Sequence, residues 1–543
     1  MTAAPPGRVS AYGLDHSIQL LGQAQALDHL FGPLEAGEPI VLGILGASVA
    51  QNGGCLDQPR KRCMHFSGRR GSIGKGWAVR LLEHINRSWP HADHRINNSA
   101  LDAMGIGALG DCLLGHLPPR LHLMIFEFGS MAQVNAADAW HMEEALRLVL
   151  QMDPPPLVLM VSFHEWCTQR LQPRRLYTTG QTLAGHLRGY VFPDTPWARV
   201  EREATRLCQH YGQACVSVKD GLEAQAYGEA PGFSVRDLTG EDCLHPVNGR
   251  RGIDLVTQLL THWLDHARDL WAQGFGPRAR ARHKGLARPP ALQAPLWREN
   301  ERERLPGRCY TFRTSMSGRM GLQRVQWCTS SDSRAGEPGE AGRRSRWRRQ
   351  EQPQSEAASC TWGQKRPQCP AAIAQDNQAY EQFMASPPSG WFFCGVSLSP
   401  SKRKSSEGVV AITPGALLRA RIDVADLGHV SSSGSDDPRA TSFWAQIRLT
   451  HLVSYQHMGV AELTCADGCA CVAQRIDAHH IDAIRNVSIF VTHTTSAEVL
   501  DARRPCELRL RVLAASSSGG HKFKVSALFV SRAMNGTVAR YRL

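Results

Sequence analysis

No stretch of this sequence approaches the run of about 18 consecutive apolar residues that a membrane-crossing helix requires, so no membrane span is expected. The opening residues, MTAAPPGRVSAYGLDHSIQLLG, lack the basic start and apolar run of a secretory leader. A soluble chain is expected, and its compartment is left unassigned. Charge imbalance is also missing from most of the length. The net charge is +13, yet between Pro277 and Gln350 there are 18 Lys and Arg against 6 Asp and Glu, so +12 of it sits in that stretch. The stretch is rich in Gly, Pro, Ser and Arg, and runs such as Arg343-Arg344-Ser-Arg346-Trp-Arg348-Arg349 have few apolar residues to pack. A solvated linker accounts for it, and the near-neutral remainder argues against nucleic acid as the partner.

What is present suggests more than one folded unit. At roughly 150 residues per domain, 543 residues make two or three. Pro39-Ile-Val-Leu-Gly-Ile-Leu45 is a continuous apolar run of the kind found in strands buried on both faces. Further strands are expected over 94–98, 121–126, 157–163 and 213–218, alternating with helices over 77–89, 136–152, 197–211 and 248–267. Such alternation predicts a parallel sheet covered by helices, a three-layer flavodoxin-like α/β domain, with its site at the carboxyl ends of the strands. From about Asn377 onward helical periodicity gives way to short β-prone segments: 417–424, 443–453, 461–465, 487–492, 508–512 and 523–530. These predict a β-sandwich-like domain. The expected organisation is an N-terminal extension over 1–38, an α/β domain over 39–270, a basic and largely irregular linker over 271–376, and a β-rich domain over 377–543.

Sixteen cysteines are mostly dispersed, except for Cys465, Cys469 and Cys471 with Cys506 further on. Four thiols in one region make two disulfides or a zinc site, and the spacing leaves both open. Four Asn-x-Ser/Thr sequons, at Asn86, Asn97, Asn486 and Asn535, bear on the argument only if the chain is secreted.

Two short motifs carry chemistry. Ser48 follows the first predicted strand in Gly46-Ala-Ser48-Val-Ala-Gln-Asn-Gly-Gly54, where a tight strand-to-helix turn exposes a hydroxyl and aims backbone N–H groups at the same space. Asp242-Cys-Leu-His245-Pro lies in the loop before the last helix. A carboxylate three residues before a histidine can orient the imidazole, which takes the serine proton and returns it to the leaving group. His164, in His164-Glu165-Trp166 at the end of the fourth strand, is a candidate substrate contact. No metal and no cofactor are expected.

These motifs together resemble the SGNH/GDSL-type esterase and acylhydrolase family, especially its plant- and alga-type members, over roughly Pro39 to Ala267. The resemblance rests on Gly46-Ala-Ser48, Gly76-Trp77-Ala-Val-Arg-Leu-Leu, Asn98-Ser-Ala100, Glu127-Phe128 and Asp242 to Pro246. It implies a serine ester hydrolase with Ser48 as nucleophile, His245 as general base and Asp242 as its orienting partner. Two departures concern the oxyanion hole. Asp102-Ala103 stand where the family has a glycine, leaving the Ala103 N–H as the implied donor. Met131-Ala132 stand where the family has Asn-Asp, leaving Asn135 as the candidate amide. The implied partner is a small acyl ester or an acylated glycan; the alternative is a glycan-binding protein built on the same scaffold with impaired catalysis. The string Leu452-Val-Ser-Tyr455-Gln-His-Met-Gly459 leading into Thr464-Cys465 is similar to the β-rich tail that algal proteins join to such a domain.

Overall fold

The computed structural model describes residues 7–52, 56–58, 61–62, 76–101, 104–110, 112, 117–132, 140–166, 196–227, 235–239, 243–247, 252–275, 292–297, 307–311, 322–324, 326–329, 390–394, 408–422, 424–428, 442–455, 457–480 and 488–533. The chain divides into two compact units, in the main 1–304 and 305–543.

In the first unit α1 (Ala11–Ser17), β1 (Ile18–Leu20) and α2 (Ala24–Glu35) lead to β2 (Val41–Gly46), α3 (Ser48–Asn52) and a small pair, β3 (Leu56–Gln58) and β4 (Lys61–Arg62). Then come α4 (Trp77–Ser88), β5 (Arg95–Asn98), α5 (Ile106–Gly110), β6 (Leu123–Glu127), α6 (Trp140–Leu150) and β7 (Leu157–Ser162). The unit ends with α7 (Pro196–Tyr211), β8 (Ala214–Ser217), α8 (Val218–Tyr227), α9 (Val235–Leu238) and α10 (Gly252–Phe275). The sheet runs β1-β8-β7-β6-β2-β5, parallel throughout except for β1, which pairs antiparallel with β8.

Every residue of β6 and β7 is buried, as the apolar runs Leu123–Phe126 and Leu157–Val161 require of strands covered on both faces. Leu42 and Ile44 of β2 and Ile125 of β6 lie in one apolar cluster with Phe31 of α2, Leu81 of α4 and Trp263 of α10. Side chains alternate across a strand. Cys215 therefore points away from its neighbours Ala214 and Val216, which are members of that cluster, and is joined by a disulfide to Cys208 of α7. Helix α4 buries Trp77, Leu81 and Ile85 at a spacing of four, and Pro90 follows its end.

Within the expected N-terminal extension, residues 7–38 pack into this unit: β1 extends the sheet, and Leu27, Leu30 and Phe31 of α2 are wholly buried. Helix α10 continues to Phe275, past the expected end at 267, because Trp271 is buried and its indole N–H bonds Asp28 of α2 at 2.8 Å. Residues 292–297, expected in an irregular linker, are also fixed to this unit. The buried Glu143 of α6 accepts bonds from the backbone N–H of Leu296 (2.5 Å) and Trp297 (3.1 Å) and from the Tyr211 hydroxyl (2.7 Å). Arg147 donates to Tyr211 and to the carbonyl of Gln293, and Arg206 lies over the Trp297 ring.

The second unit is β throughout its described part, apart from a 3-10 turn over Ala425–Gly428. Its strands are β9 (Gly307–Thr311), β10 (Leu322–Arg324), β11 (Gln326–Thr329), β12 (Trp391–Cys394), β13 (Gly408–Ala411), β14 (Leu417–Ile422), β15 (Phe443–Val453) and β16 (Val460–Asp467). They continue with β17 (Cys469–Cys471), β18 (Gln474–Asp477), β19 (Ile489–Val499), β20 (Cys506–Val512) and β21 (Phe523–Arg532). One sheet runs β10-β9-β21-β15-β19-β17, with β13 on β21 and β12 on β13; the other is a five-stranded antiparallel sheet, β11-β14-β20-β16-β18. Strands β9, β10 and β11 come from the stretch expected to be linker, and β9 pairs with β21 over five residues. In β14 the burial alternates strictly, as a strand with one covered face requires.

The four clustered cysteines are two disulfides, Cys465–Cys471 and Cys469–Cys506, which excludes thiolate coordination of zinc there. The second bridge closes 37 residues and joins β17 to β20. Replacing Cys469 and Cys506 together by serine is expected to lower the stability of the β-rich unit by about 2–4 kcal/mol, the usual worth of a bridge of this kind. Denaturant unfolding of the variant and the parent protein measures it.

Candidate functional site

Strand β2 ends at Gly46, and the chain turns directly into α3 with Ser48 as its first residue. The turn can form only because position 46 is glycine. A Cβ there would collide with the carbonyl oxygen of Glu127 at the end of β6 and stand 2.8 Å from the Ala50 Cβ. The backbones of β2 and β6 therefore meet closely just where the serine is presented. Asn98, the last residue of β5, holds the turn from its other side: its amide nitrogen donates to the Ala50 carbonyl at 2.9 Å, and its amide oxygen accepts from the Ala100 N–H at 3.0 Å. The chain after β5 is tied back by Leu101 N–H to the Gly46 carbonyl at 3.0 Å.

His245 arrives from a separate loop, between α9 and α10. That loop is pinned by the Thr239–Pro246 bridge, by Val247 N–H to the Leu238 carbonyl at 3.2 Å, and by Trp166 N–H to the Cys243 carbonyl at 2.9 Å. The constraint leaves the imidazole largely buried and its Nε2 2.7 Å from Ser48 Oγ. The serine hydroxyl donates to Nε2 when the ring proton is on Nδ1. Two side chains 197 residues apart in sequence thus form the hydrogen-bonded pair that a general base and its nucleophile need. Asp242, Ala103 and Asn135 lie outside the described residues.

Beneath this pair sits a carboxyl group whose role the sequence did not disclose. Glu127 is wholly buried; its Oε1 accepts from the Ser130 N–H and its Oε2 from the Ser130 hydroxyl, both at 2.8 Å, and the Ala50 N–H bonds it as well. It joins the turn after β6 to α3, the helix that begins at Ser48. Burial pushes its carboxyl up to about 7, against the downward pull of the Ser130 and Ala50 bonds and of His245. The signal was available: β6 reads Leu-Met-Ile-Phe-Glu, and an acidic residue closing a fully apolar strand needs partners.

His164 lies just past β7, 4% exposed and edge-on to Trp166. Burial, with Lys219 nearby, holds its ring down to about 3, so it is neutral near pH 7. The structure thus places it among packed side chains at the rim of the sheet. Met131, at a position where the resemblance implies Asn, belongs to a buried 3-10 turn over Gly129–Met131.

No family profile matches this chain, and no curated protein matches its sequence. Solved structures do match. A two-domain esterase active on acetylated mannans aligns with a TM-score of 0.50 and 14% identity, over 96% of this chain and 99% of that one. The likeness extends through both units and establishes a shared two-domain fold. The same kind of esterase, co-crystallised with mannopentaose, aligns at a TM-score of 0.48 and 14% identity over the same shares. A protein described as a putative SGNH hydrolase from Slackia heliotrinireducens aligns at 0.25 and 12% identity, over 42% of this chain and all of that one.

Two outcomes follow. Gly46→Ala is expected to destabilise the first unit by about 1–3 kcal/mol, since the new methyl group meets backbone rather than a side chain that can move away; its melting temperature measures this. The Glu127 carboxyl keeps its proton in the folded chain up to about 7, whereas the ordinary value is 4.5. Between those values the unfolded chain binds fewer protons, so this group's contribution to stability falls as pH rises. The melting temperature of the parent relative to Glu127→Gln should therefore decline from pH 4.5 to pH 7. Stability that His164 loses on acidification is common to both proteins and cancels in the difference.

Proposed function

We propose that the chain is a serine ester hydrolase that removes small acyl groups, acetyl in particular, from carbohydrate through an acyl-enzyme intermediate. The observation that carries this reading is the 2.7 Å contact between Ser48 and His245 at the carboxyl ends of parallel strands, where α/β sheets build their sites. A fold hosts many functions, so this pair counts for more than the shared architecture. The glycan substrate class is supported by the two-domain fold shared with an esterase active on acetylated mannans.

In this mechanism Ser48 Oγ attacks the ester carbonyl carbon while its proton passes to Nε2 of His245. Asp242, three residues before His245, is the expected orienting carboxylate. The tetrahedral intermediate collapses as His245 gives the proton to the departing sugar oxygen. Water then attacks the acyl-enzyme, with His245 again as base, and frees the acid and Ser48. The oxyanion is assigned to backbone N–H groups of Ser48 and Ala103, with Asn135 as the side-chain donor. Glu127 holds α3, and with it Ser48, through its bonds from Ser130 and Ala50. The disulfides among the described residues fit maturation in an oxidising compartment.

Hydrolysis of p-nitrophenyl acetate by the purified protein, beside folded Ser48→Ala and His245→Ala variants, tests the proposal. Turnover is expected to fall by about 10³-fold or more in each, and a fluorophosphonate probe is expected to label Ser48 in the parent alone. Release of acetate from acetylated mannan then tests the substrate class. Folded parent protein that neither turns over the ester nor takes the label would overturn the reading and leave the glycan-binding alternative.

A further inference from the structure

We propose that Asp15, His262 and His266 form a binding site for a borderline divalent transition ion, with Zn²⁺ the representative, which ties the N-terminal helix α1 to the last helix of the same unit, α10. The site is separate from the Ser48–His245 pair in residues and elements, and does not rest on the esterase reading.

His262 and His266 are four residues apart on the 24-residue helix α10, so both rings lie on one face, one above the other, with centroids 4.1 Å apart. Asp15 reaches the same place from α1, where its Oδ1 is 3.0 Å from Nε2 of His262. One ligand atom from each of the three side chains lies within 4.8 Å of the other two. Tetrahedral zinc with bonds of about 2.0–2.1 Å separates its ligand atoms by about 3.3 Å. The Asp15–His262 spacing is already near that value, and a modest side-chain adjustment brings in the third donor.

A hydrogen bond behind the His266 ring supports the same chemistry. Nδ1 of His266 is 3.0 Å from the backbone carbonyl of His262 and can only donate to it. That bond places the ring proton on Nδ1 and leaves the Nε2 lone pair for an ion, the arrangement by which carbonyls commonly orient metal-binding histidines. Two imidazoles and one carboxylate suit zinc, cobalt, nickel or copper rather than magnesium or calcium, which take oxygen ligands. With the Asp15 side chain 65% exposed and that of His262 19% exposed, an ion can reach the site and keep a water as fourth ligand.

The placement gives the ion a structural consequence. The segment before α1 is already laced to α10 by Val9 N–H to Gln258 Oε1 at 3.1 Å and by Gln258 Nε2 to the Gly7 carbonyl at 3.4 Å. Gln258 lies one turn before His262. A bound ion would clamp the two ends of the unit a turn further along, between residues 247 apart in sequence, and cross-links that close long loops restrict the unfolded chain most. An ion that binds only the folded state also raises its stability, by an amount that grows with the logarithm of ion concentration once that exceeds Kd.

The test uses the full chain, purified without a polyhistidine tag and stripped with chelator, titrated with ZnCl₂ by calorimetry and followed by thermal melting, with MgCl₂ in parallel. The expected result is zinc uptake with a higher melting temperature, no response to magnesium, and at least tenfold weaker zinc binding in both the His262→Ala/His266→Ala double variant and the Asp15→Asn variant. Asp15→Asn changes only an exposed oxygen, so it decides the matter if the double variant does not fold. His84→Ala, which removes a ring paired with Asp265 elsewhere on α10, should bind zinc as the parent does. No zinc uptake by the parent, or unchanged affinity in Asp15→Asn, would overturn the proposal.

Discussion

The position of Ser48 depends on how closely two neighbouring strands can approach at their carboxyl ends. At Gly46 the backbone of β2 comes so near the Glu127 carbonyl of β6 that no side chain fits between them. The chain must turn there, and Ser48 is the residue that the turn presents. Glu127 then serves twice, through its carbonyl as the wall that demands glycine, and through its carboxyl as the acceptor that holds Ala50 and Ser130. Asn98 secures the opposite side of the turn. The sheet order puts β2 between β5 and β6, so one strand end collects restraints from both neighbours.

The histidine side of the pair is built on a different principle. Its loop takes its shape from short backbone bonds to β7's following segment and to α9 rather than from a strand end, with Cys243 held at a positive φ of 56°. Cys243 is disulfide-bonded, and a covalent restraint is one way to hold a residue in that sparsely populated region. The serine is thus placed by packing of regular elements and the histidine by a pinned loop. Their meeting at 2.7 Å shows that the two solutions are matched.

Much of this was legible in the sequence, and the reason is local. β2, β6 and β7 are apolar runs with no alternative partner than a covered parallel sheet, and β15 spans the expected residues 443–453. Ser48 and His245 were visible because each sits in a short motif whose meaning does not depend on distant residues. What escaped needed long-range information. β1 has three residues and becomes a strand only because β8 offers an open edge. β9 lies within a basic stretch whose average composition hid a short segment that pairs with β21, more than 200 residues later. Cys465, Cys469, Cys471 and Cys506 allowed two chemistries, and only their positions in three dimensions chose disulfides. The grouping of Asp15 with His262 and His266 was invisible for the same reason.

The clasp on residues 293–297 bears on where this unit can be cut. Glu143 is fully buried, and the amides of Leu296 and Trp297 donate to it together with the Tyr211 hydroxyl. A fragment ended at the last turn of α10 would strip those amides from a buried carboxylate and bare the surface that they cover. The working boundary of the α/β unit therefore falls beyond Trp297, some twenty residues past Phe275, where α10 ends.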